Sequence, residues 1–303
     1  MKATYDIALL TERKYVNPTV TDWYMDQVLE EDGLVKGALE KLGYSVIIVD
    51  WADPEFDWSS VKIAIFRTIW DYFHRFDVFQ AWMDKVKNQT TFINSFDQIL
   101  WNIDKHYLND LSEDGIPVVP SHFIEMGTKT TLADLHHKLG WNKSVIKPCV
   151  SGGGRHTYLL NSENWAEHEA IFQELIAKEA MMLQPFMNNI TSKGEVSHIV
   201  IGGKYTHSVL KLAKSGDYRV QDDFGGSVHD YTPSSEEIAF AESVALACDP
   251  TPTYARIDLV WDNNDQLAVG EAELIEPELW FRKYPEAAIA LAKEIDKEFK
   301  ALA

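Results

Sequence analysis

Short apolar runs alternate with longer amphipathic segments through the first hundred residues. Four of these runs predict buried strands, at residues 6–10, 46–49, 62–66 and 91–93. Between them, residues 22–42 and 76–86 repeat their apolar side chains with a helical period, and Gly43 is suited to end the first helix. Strands that alternate with helices are typical of an open α/β domain, which we place at residues 1–104.

The pattern changes at Lys105, where a helix begins. Strands are predicted after it at residues 116–120, 144–147, 157–160 and 180–184, with helices at 131–139 and 162–178. We place a small α+β subdomain at residues 105–186.

The remaining residues, 187–303, predict a second α+β subdomain. Four strands are expected, at residues 196–201, 204–212, 255–261 and 266–275. Tight turns such as Gly202-Gly203 join them and favour an antiparallel sheet, with helices at 235–248 and 286–302 covering it. The predicted fold class is therefore α/β and α+β.

Composition excludes several classes of protein. The 303 residues are 46% hydrophobic, which is typical of a folded globular chain, and the net charge of -19 argues against a general nucleic-acid binder. No apolar run approaches the roughly 18 residues that span a membrane, so we expect no membrane partner and a cytoplasmic protein. Cys149 and Cys248 are too few for a disulfide framework.

The first candidate for chemistry is an acidic hairpin near the C-terminus. If Trp261 pairs with Gln266 across the turn, Asp258 faces Val269 and Arg256 faces Glu271, with Glu273 on the same face. Carboxylates so close repel one another unless a cation lies between them, and Mg2+ prefers such oxygen ligands. The alternative is an exposed, solvated charged face.

A second candidate is a glycine-rich turn beside a lysine. Lys147 ends an apolar strand four residues before the turn, whose residues are Ser151, Gly152, Gly153 and Gly154. Glycines let backbone N–H groups approach a phosphate, and a lysine adds a point charge. Lys105 taken singly is a surface lysine, and the turn taken singly is a plain β-turn.

Together these pieces resemble the ATP-grasp fold of bacterial glutathione synthetase and its relatives. In chain order, the matching pieces are Lys105, 145–148, 151–154, 184–186, 194–195, Lys211, 216–219, 225–226, Asp258 and 271–273. The resemblance implies an N-terminal open α/β domain, a small lid subdomain and a C-terminal antiparallel-sheet subdomain.

The resemblance also implies a nucleotide site. Lys105 and Lys147 would contact the phosphates of ATP, the glycine turn would close over them, and Glu195 would accept from the ribose hydroxyls. The hinge that would present backbone groups to adenine consists of Gln184, Pro185, Phe186 and Met187.

The hairpin acids match the family's magnesium ligands. These are Asp258, Glu271 and Glu273, with Mn2+ as an alternative ion; glutathione synthetase usually has Asn at the last position. The basic residues expected to act on the transferred phosphoryl group are Lys211, Arg219 and Arg256. Glutathione synthetase also carries a basic residue shortly after its ribose acid, where this chain has 196–198, Val-Ser-His.

The N-terminal domain carries a further motif after its third strand, Arg67-Thr68-Ile69-Trp70-Asp71-Tyr72. It is similar to a segment of the subgroup that includes the ligase-like cyclase of D-cycloserine biosynthesis. Arg67 at a strand end could hold a substrate carboxylate, with Asp71 beside it; the alternative is a structural Arg67–Asp71 pair.

The resemblance implies an ATP- and Mg2+-dependent carboxylate–amine ligase that forms an acyl phosphate on a small amino-acid-like carboxylate. The alternatives are a small-molecule kinase or phosphotransferase of the same fold and a nucleotide-binding protein without turnover. The expected partners are a small carboxylate and an amine, and a homodimer is compatible with the sequence. The specificity loops are expected at residues 15–24, 66–76 and 221–231.

Overall fold

The computed structural model describes residues 4–220 and 225–302, which form three sheets and the helices packed on them. The first sheet is parallel, with the order β2-β1-β3-β4. Its strands are β1 (Tyr5–Thr11), β2 (Val46–Asp50), β3 (Val61–Thr68) and β4 (Thr91–Ile93). Helices α1 (Trp23–Lys41) and α2 (Phe76–Val86) connect them, and the Asp22 side chain caps α1 by accepting from the N–H of Met25.

Two short helices lead from this sheet to the second one. They are α3 (Phe96–Ile103), which the sequence pattern did not predict, and α4 (Tyr107–Glu113). The second sheet is antiparallel, with the order β5-β8-β6-β7. Its elements are β5 (His122–Ile124), α5 (Leu132–Leu139), β6 (Lys143–Pro148), β7 (Tyr158–Asn161), α6 (Trp165–Ile176) and β8 (Met181–Pro185).

The third sheet is antiparallel and has the order β11-β10-β9-β12-β13. Its elements are α7 (Ile190–Lys193), β9 (Glu195–Ile201), β10 (Lys204–Leu212), β11 (Ser227–Asp230), α8 (Ser235–Ala247), β12 (Tyr254–Trp261), β13 (Leu267–Glu273) and α9 (Pro285–Ala301). The predicted combination of an open α/β part with antiparallel α+β parts is confirmed.

The core joins the two ends of the chain. Alternate residues of the third sheet point to two different clusters: Val200 and Ile257 pack with α8, whereas Ile199 packs with α9. Leu291 of α9 lies in one buried cluster with residues of α1 and β1, so the C-terminal helix also covers the N-terminal domain. No helix among residues 4–220 and 225–302 is long and apolar enough to cross a membrane.

Two local predictions were wrong. The strand expected at residues 116–120 lies instead at His122–Ile124, because Pro117 and Pro120 have no N–H to donate to a ladder; Val118 makes a single bridge to Val269. The turn between Trp261 and Leu267 is also one residue longer than predicted.

The register of the hairpin differs accordingly. Trp261 pairs with Leu267 rather than Gln266, and a bulge at Gly270 shifts the ladder by a further residue. Asp258 therefore faces Glu271, and Arg256 faces Glu273. The two shifts together move the pairing by two residues. Because side chains alternate between the faces of a strand, the three acids and the arginine still share one face of the sheet.

Strand β13 lies at the edge of the third sheet, but its outer edge is covered. Val269 exchanges backbone hydrogen bonds with 117–119, donating to the Pro117 carbonyl at 2.9 Å and accepting from the N–H of Val119 at 2.9 Å. Asn102 accepts from the N–H of Leu274 and donates to the carbonyl of Ala272, both at 2.8 Å. Elements from outside the sheet thus fix the strand that carries Glu271 and Glu273.

Asn94 extends this cover from the end of β4. Its amide donates to the carbonyls of Tyr254 (2.9 Å) and Leu274 (2.8 Å), and its oxygen accepts from the N–H of Thr253 (2.7 Å). Only 2% of its surface is exposed. One side chain therefore ties the N-terminal sheet to both strands of the acidic hairpin.

We expect Asn94→Ala to lower the free energy of unfolding by about 2 to 4 kcal/mol, because buried backbone groups would lose their partners. Urea denaturation measures the change. Asn88→Ala, at an exposed position of the same domain, is the control and should stay within about 0.5 kcal/mol of wild type. Equal stability of Asn94→Ala and wild type would contradict the role of this side chain.

Candidate active site

The three sheets meet around a cleft with about 640 Å3 of free space. Almost every residue that the sequence singled out lines it. These are Lys105, Lys147, Ser151, Gly152, Gly153, Gly154, Gln184, Pro185, Phe186, Met187, Glu195, Lys211, Arg219, Arg256, Asp258, Glu271 and Glu273. Arg67 and Asp71 do not line it.

The hairpin acids form one corner of the cleft. Asp258, Glu271 and Glu273 each offer a carboxylate oxygen, and these atoms lie within 4.8 Å of one another. The donors are all oxygens, which fits a hard divalent cation such as Mg2+ or Mn2+. The bulge at Gly270 is what brings the two glutamates opposite Arg256 and Asp258.

Basic side chains neutralise this corner in the free protein. Arg256 Nε lies 3.0 Å from Asp258 Oδ1, and the Arg256 guanidinium also contacts Glu273. Lys211 Nζ lies 3.2 Å from Asp258 Oδ2 and contacts Glu195. Although burial opposes it, Arg256 and Lys211 hold the pKa of Asp258 below its usual range.

Glu273 is less well compensated. Burial, together with the nearby Glu271 and Asp258 carboxylates, outweighs Arg256 and raises its pKa to about 7. A cation bound at this corner would offset the cost of ionising Glu273 beside two other carboxylates, so the electrostatics of Glu273 favour a metal ion.

The two lysines of the cleft differ in their partners. Lys105 Nζ lies 2.8 Å from Glu271 Oε1 and donates to the carbonyl of Ser151 at 2.8 Å. Lys147 Nζ has no ion pair within 4.0 Å among the residues that the structure describes. Burial lowers the pKa of Lys147, and Glu271 offsets this only in part. Lys147 is therefore a half-buried cation without an ion-pair partner among the described residues, as expected of a phosphate-binding lysine.

The glycine turn packs against the N-terminal domain. Gly153 and Gly154 have φ of +56° and +71°, which side-chain-bearing residues rarely adopt. A Cβ at Gly152 would lie 2.7 Å from the ring of Phe73. The turn can take this position only because it is made of glycine.

An apolar slot lies beside the predicted hinge. Val119, Met187, Val260 and Ala268 form a small buried cluster against Ile190, and such a slot suits a flat apolar ring. Part of the predicted hinge already uses its backbone groups within the protein. The N–H of Phe186 donates to the Lys143 carbonyl at 2.9 Å, and the Phe186 carbonyl accepts from Asn263 at 3.0 Å. Met187 N–H makes no hydrogen bond within the described residues.

Two further predicted residues have partners that reduce their freedom. Gln184 Nε2 donates to Ser121 Oγ at 2.9 Å. Arg219 lines the cleft, and its Nη2 donates to Asp217 Oδ2 at 2.8 Å. The planar fork of Arg219 is thus oriented by the acid two residues before it.

The predicted substrate pair in the N-terminal domain requires correction. Arg67 is 1% exposed, and its Nε donates to Asp32 Oδ1 at 3.2 Å; it lines a narrow side cleft rather than the main one. Asp71 accepts from Trp51 Nε1 at 2.7 Å and pairs with Arg75. The predicted Arg67–Asp71 pair is therefore also wrong, because helix α1 supplies the partner of Arg67.

Several residues of the cleft were not assigned a role from the sequence. They include Tyr15, Tyr24, Trp70 and Trp280. Glu276 also lines the cleft; its position after the alternating strand made it a weaker metal candidate than the hairpin acids. Tyr15, Tyr24 and Trp70 lie in the expected loops, and Trp280 lies between β13 and α9. Such segments carry no periodic signal that would show which side chains turn inward. Of the third expected loop, residues 221–224 lie outside the described part of the chain.

Comparisons with known proteins place this geometry in context. Residues 7–94 match the family model for the N-terminal domain of D-cycloserine synthetase DcsG, and residues 117–258 match that for the ATP-grasp domain of prokaryotic glutathione synthetase. Cycloserine biosynthesis protein DcsG of Streptomyces lavendulae is 27% identical over 277 residues, covering 87% of this chain and 92% of that protein.

Solved structures share the whole architecture. The crystal structure of D-cycloserine synthetase DcsG superposes with a TM-score of 0.84 at 24% identity, covering 97% of this chain and 99% of that one. A RimK domain ATP-grasp protein from Sphaerobacter thermophilus gives 0.65 at 17% identity, with 96% and 97% covered. D-alanine–D-alanine ligase from Bacillus anthracis complexed with ATP gives 0.64 at 13% identity, with 98% of each chain covered. At these identities the likeness shows the fold.

We expect Gly152→Ala to displace the glycine turn from Phe73, because the added methyl would overlap the ring. Tryptic cleavage after Arg155 should become about tenfold faster, which corresponds to an overpacking cost near 1.4 kcal/mol. Mass spectrometry of the fragments identifies the site. The control is Gly37→Ala, whose Cβ meets nothing within 4 Å; equal cleavage rates for Gly152→Ala and wild type would argue against the contact.

Proposed function

We propose that this chain is an ATP-dependent ligase of the ATP-grasp superfamily and that it joins a small amino-acid-like carboxylate to an amine through an acyl phosphate. The observation that carries the proposal is the juxtaposition of two features in one cleft. The carboxylate corner of Asp258, Glu271 and Glu273 opens onto the same space as the glycine turn and Lys147, for which residues 4–220 and 225–302 supply no ion pair. These are the parts that phosphoryl transfer requires.

Nucleotide binding would use the second sheet. The apolar slot of Val119, Met187 and Val260 would take the adenine ring, with Met187 N–H as a hydrogen-bond donor. Lys147 would pair with the phosphates, and the glycine turn would cover them with its backbone N–H groups. Glu195, at the start of β9, lines the cleft and could accept from the ribose hydroxyls.

Around the metal corner the acidic and basic side chains are matched without a ligand. Glu195, Asp258, Glu271 and Glu273 stand against Lys105, Lys147, Lys211 and Arg256; the rest of the cleft adds the acids Glu276 and Glu278 and the cations Lys14, Arg155 and Arg219. A polyanionic nucleotide would upset this balance unless divalent ions entered with it. Mg2+ or Mn2+ held by Asp258, Glu271 and Glu273 would neutralise the charge that develops on the phosphates.

In the first step a carboxylate oxygen of the substrate would attack the γ-phosphorus of ATP, and ADP would leave. In the second, the lone pair of the amine would attack the acyl carbon, and inorganic phosphate would leave with the nitrogen losing one proton. Lys211, Arg256 and Arg219 would orient the transferred phosphoryl group by their fixed geometry. The likeness to D-cycloserine synthetase supports a substrate of amino-acid size.

The function is tested by following products. ADP and phosphate should form together with an amide when ATP, Mg2+, a carboxylate and an amine are all present, as detected by mass spectrometry. A stable phosphorylated product without an amide would instead indicate a kinase. Removal of divalent ions with a chelator should abolish turnover, and Mg2+ should restore it.

We expect Glu271→Gln to lower ATP turnover at least about 100-fold, because it removes a ligand charge from the metal corner and leaves Lys105 without its partner. Glu286→Gln, an exposed change of the same kind on α9, is the control. Turnover of Glu271→Gln close to wild type at saturating Mg2+ would sink the metal assignment.

A further inference from the structure

One carboxylate of the cleft has no lysine or arginine paired with it among the described residues, whereas the other carboxylates do. Glu195, Asp258, Glu271 and Glu273 each pair with a lysine or arginine, and Glu278 pairs with Arg282 at 2.7 Å. Glu276 lines the same cleft, yet none of the residues in the described part of the chain forms an ion pair with it within 4.0 Å. Its burial and the nearby Glu273 carboxylate raise its pKa to about 8. The Tyr72 hydroxyl hydrogen-bonds the Glu276 carboxylate but carries no positive charge. A partly buried carboxylate without a cation beside it is costly unless a bound cation completes the site.

The backbone around Glu276 is held in place. Trp70 Nε1 donates to the carbonyl of Glu276 at 3.0 Å. The hydroxyl of Tyr254 donates to the carbonyl of Ile275 at 2.8 Å, and Asn102 bonds the N–H of Leu274. Three residues therefore fix the main chain of this short segment, from which the Glu276 side chain lines the cleft.

Aromatic rings share this part of the cleft. Trp70 packs edge-on against Tyr15, with 6.0 Å between ring centroids, and lies 6.3 Å from Tyr24. All three rings line the cleft together with Glu276. Aromatic faces attract ammonium groups, and a carboxylate beside them strengthens that preference.

We propose that Glu276, with Trp70, Tyr15 and Tyr24, forms the subsite for the free ammonium group of an α-amino acid, whose carboxylate is the group that the enzyme activates. The proposal rests on the proposed ligase function and names its substrate class. In an α-amino acid, one carbon separates the nitrogen from the carboxylate. A substrate carboxylate at the metal corner therefore brings the substrate ammonium next to Glu276. Held by Glu276, the nitrogen stays protonated and does not act as the nucleophile.

The test compares α-amino acids with their des-amino analogues, in which hydrogen replaces the ammonium group. ADP release is measured for wild type, Glu276→Gln and Glu276→Asp, with Glu286→Gln as the exposed control. We expect wild type to prefer the amino acid at least about tenfold in kcat/KM, as for a charge-assisted hydrogen bond. Glu276→Gln should lose this preference, because its kcat/KM for the amino acid falls at least about tenfold more than its kcat/KM for the des-amino acid. Glu276→Asp, which keeps the charge, should be intermediate.

Two results would overturn the inference. One is equal use of the amino acid and its analogue by wild type. The other is a shift in the Mg2+ concentration for half-maximal activity in Glu276→Gln, which would assign this side chain to the metal corner instead. Melting temperatures within about 2 °C of wild type establish that the variants are folded.

Calorimetric titration of the amino acid in the absence of ATP separates this inference from the proposed function. Binding to wild type that Glu276→Gln loses, with no ADP release by either protein, would support the subsite and refute the ligase reaction. Amide formation with the same amino-acid preference in wild type and Glu276→Gln would support the ligase reaction and refute the subsite.

Discussion

The structure depends on holding three carboxylates close together at one end of the antiparallel sheet. Asp258, Glu271 and Glu273 converge on one face of the hairpin, and each is held by a lysine or arginine from another element. If one charged side chain of this set is removed, its partner is left as an unpaired charge in a medium of low dielectric constant, which is energetically costly. The cleft is therefore stable only as a complete set, whether its cations are side chains or bound ions.

The rest of the fold keeps that set in register. The hairpin is fixed from outside by Asn94 and Asn102, which come from the N-terminal domain and from the helix that follows it. Any movement of the N-terminal sheet relative to the hairpin must break the three bonds of Asn94 or carry the hairpin along. The aromatic part of the cleft, bonded to the same segment through Trp70, shares this frame.

Local pattern was sufficient to predict most strands and helices and the shared face of the hairpin acids, because alternation and helical periods are set by neighbouring positions. Other residues of the cleft, such as Lys105, Glu195 and Lys211, were expected only from the resemblance to the ATP-grasp fold. Register shifts and contacts between residues far apart in the chain could not be predicted from the local pattern. The bulge at Gly270 changes the hairpin register without any signal besides the glycine itself, and Asp32, the partner of Arg67, is 35 residues away in the chain. Glu276 follows the end of the alternating pattern, so no period could show which way its side chain points.

The covered edge of β13 has a consequence for association. An edge strand normally offers a row of unpaired N–H and carbonyl groups on which a strand of another chain can add, a common origin of aggregation. Here the outward groups of Val269, Ala272 and Leu274 already bond to 117–119, Asn102 and Asn94. The same bonds that position the acidic side chains thus also close this side of the sheet to intermolecular strand pairing.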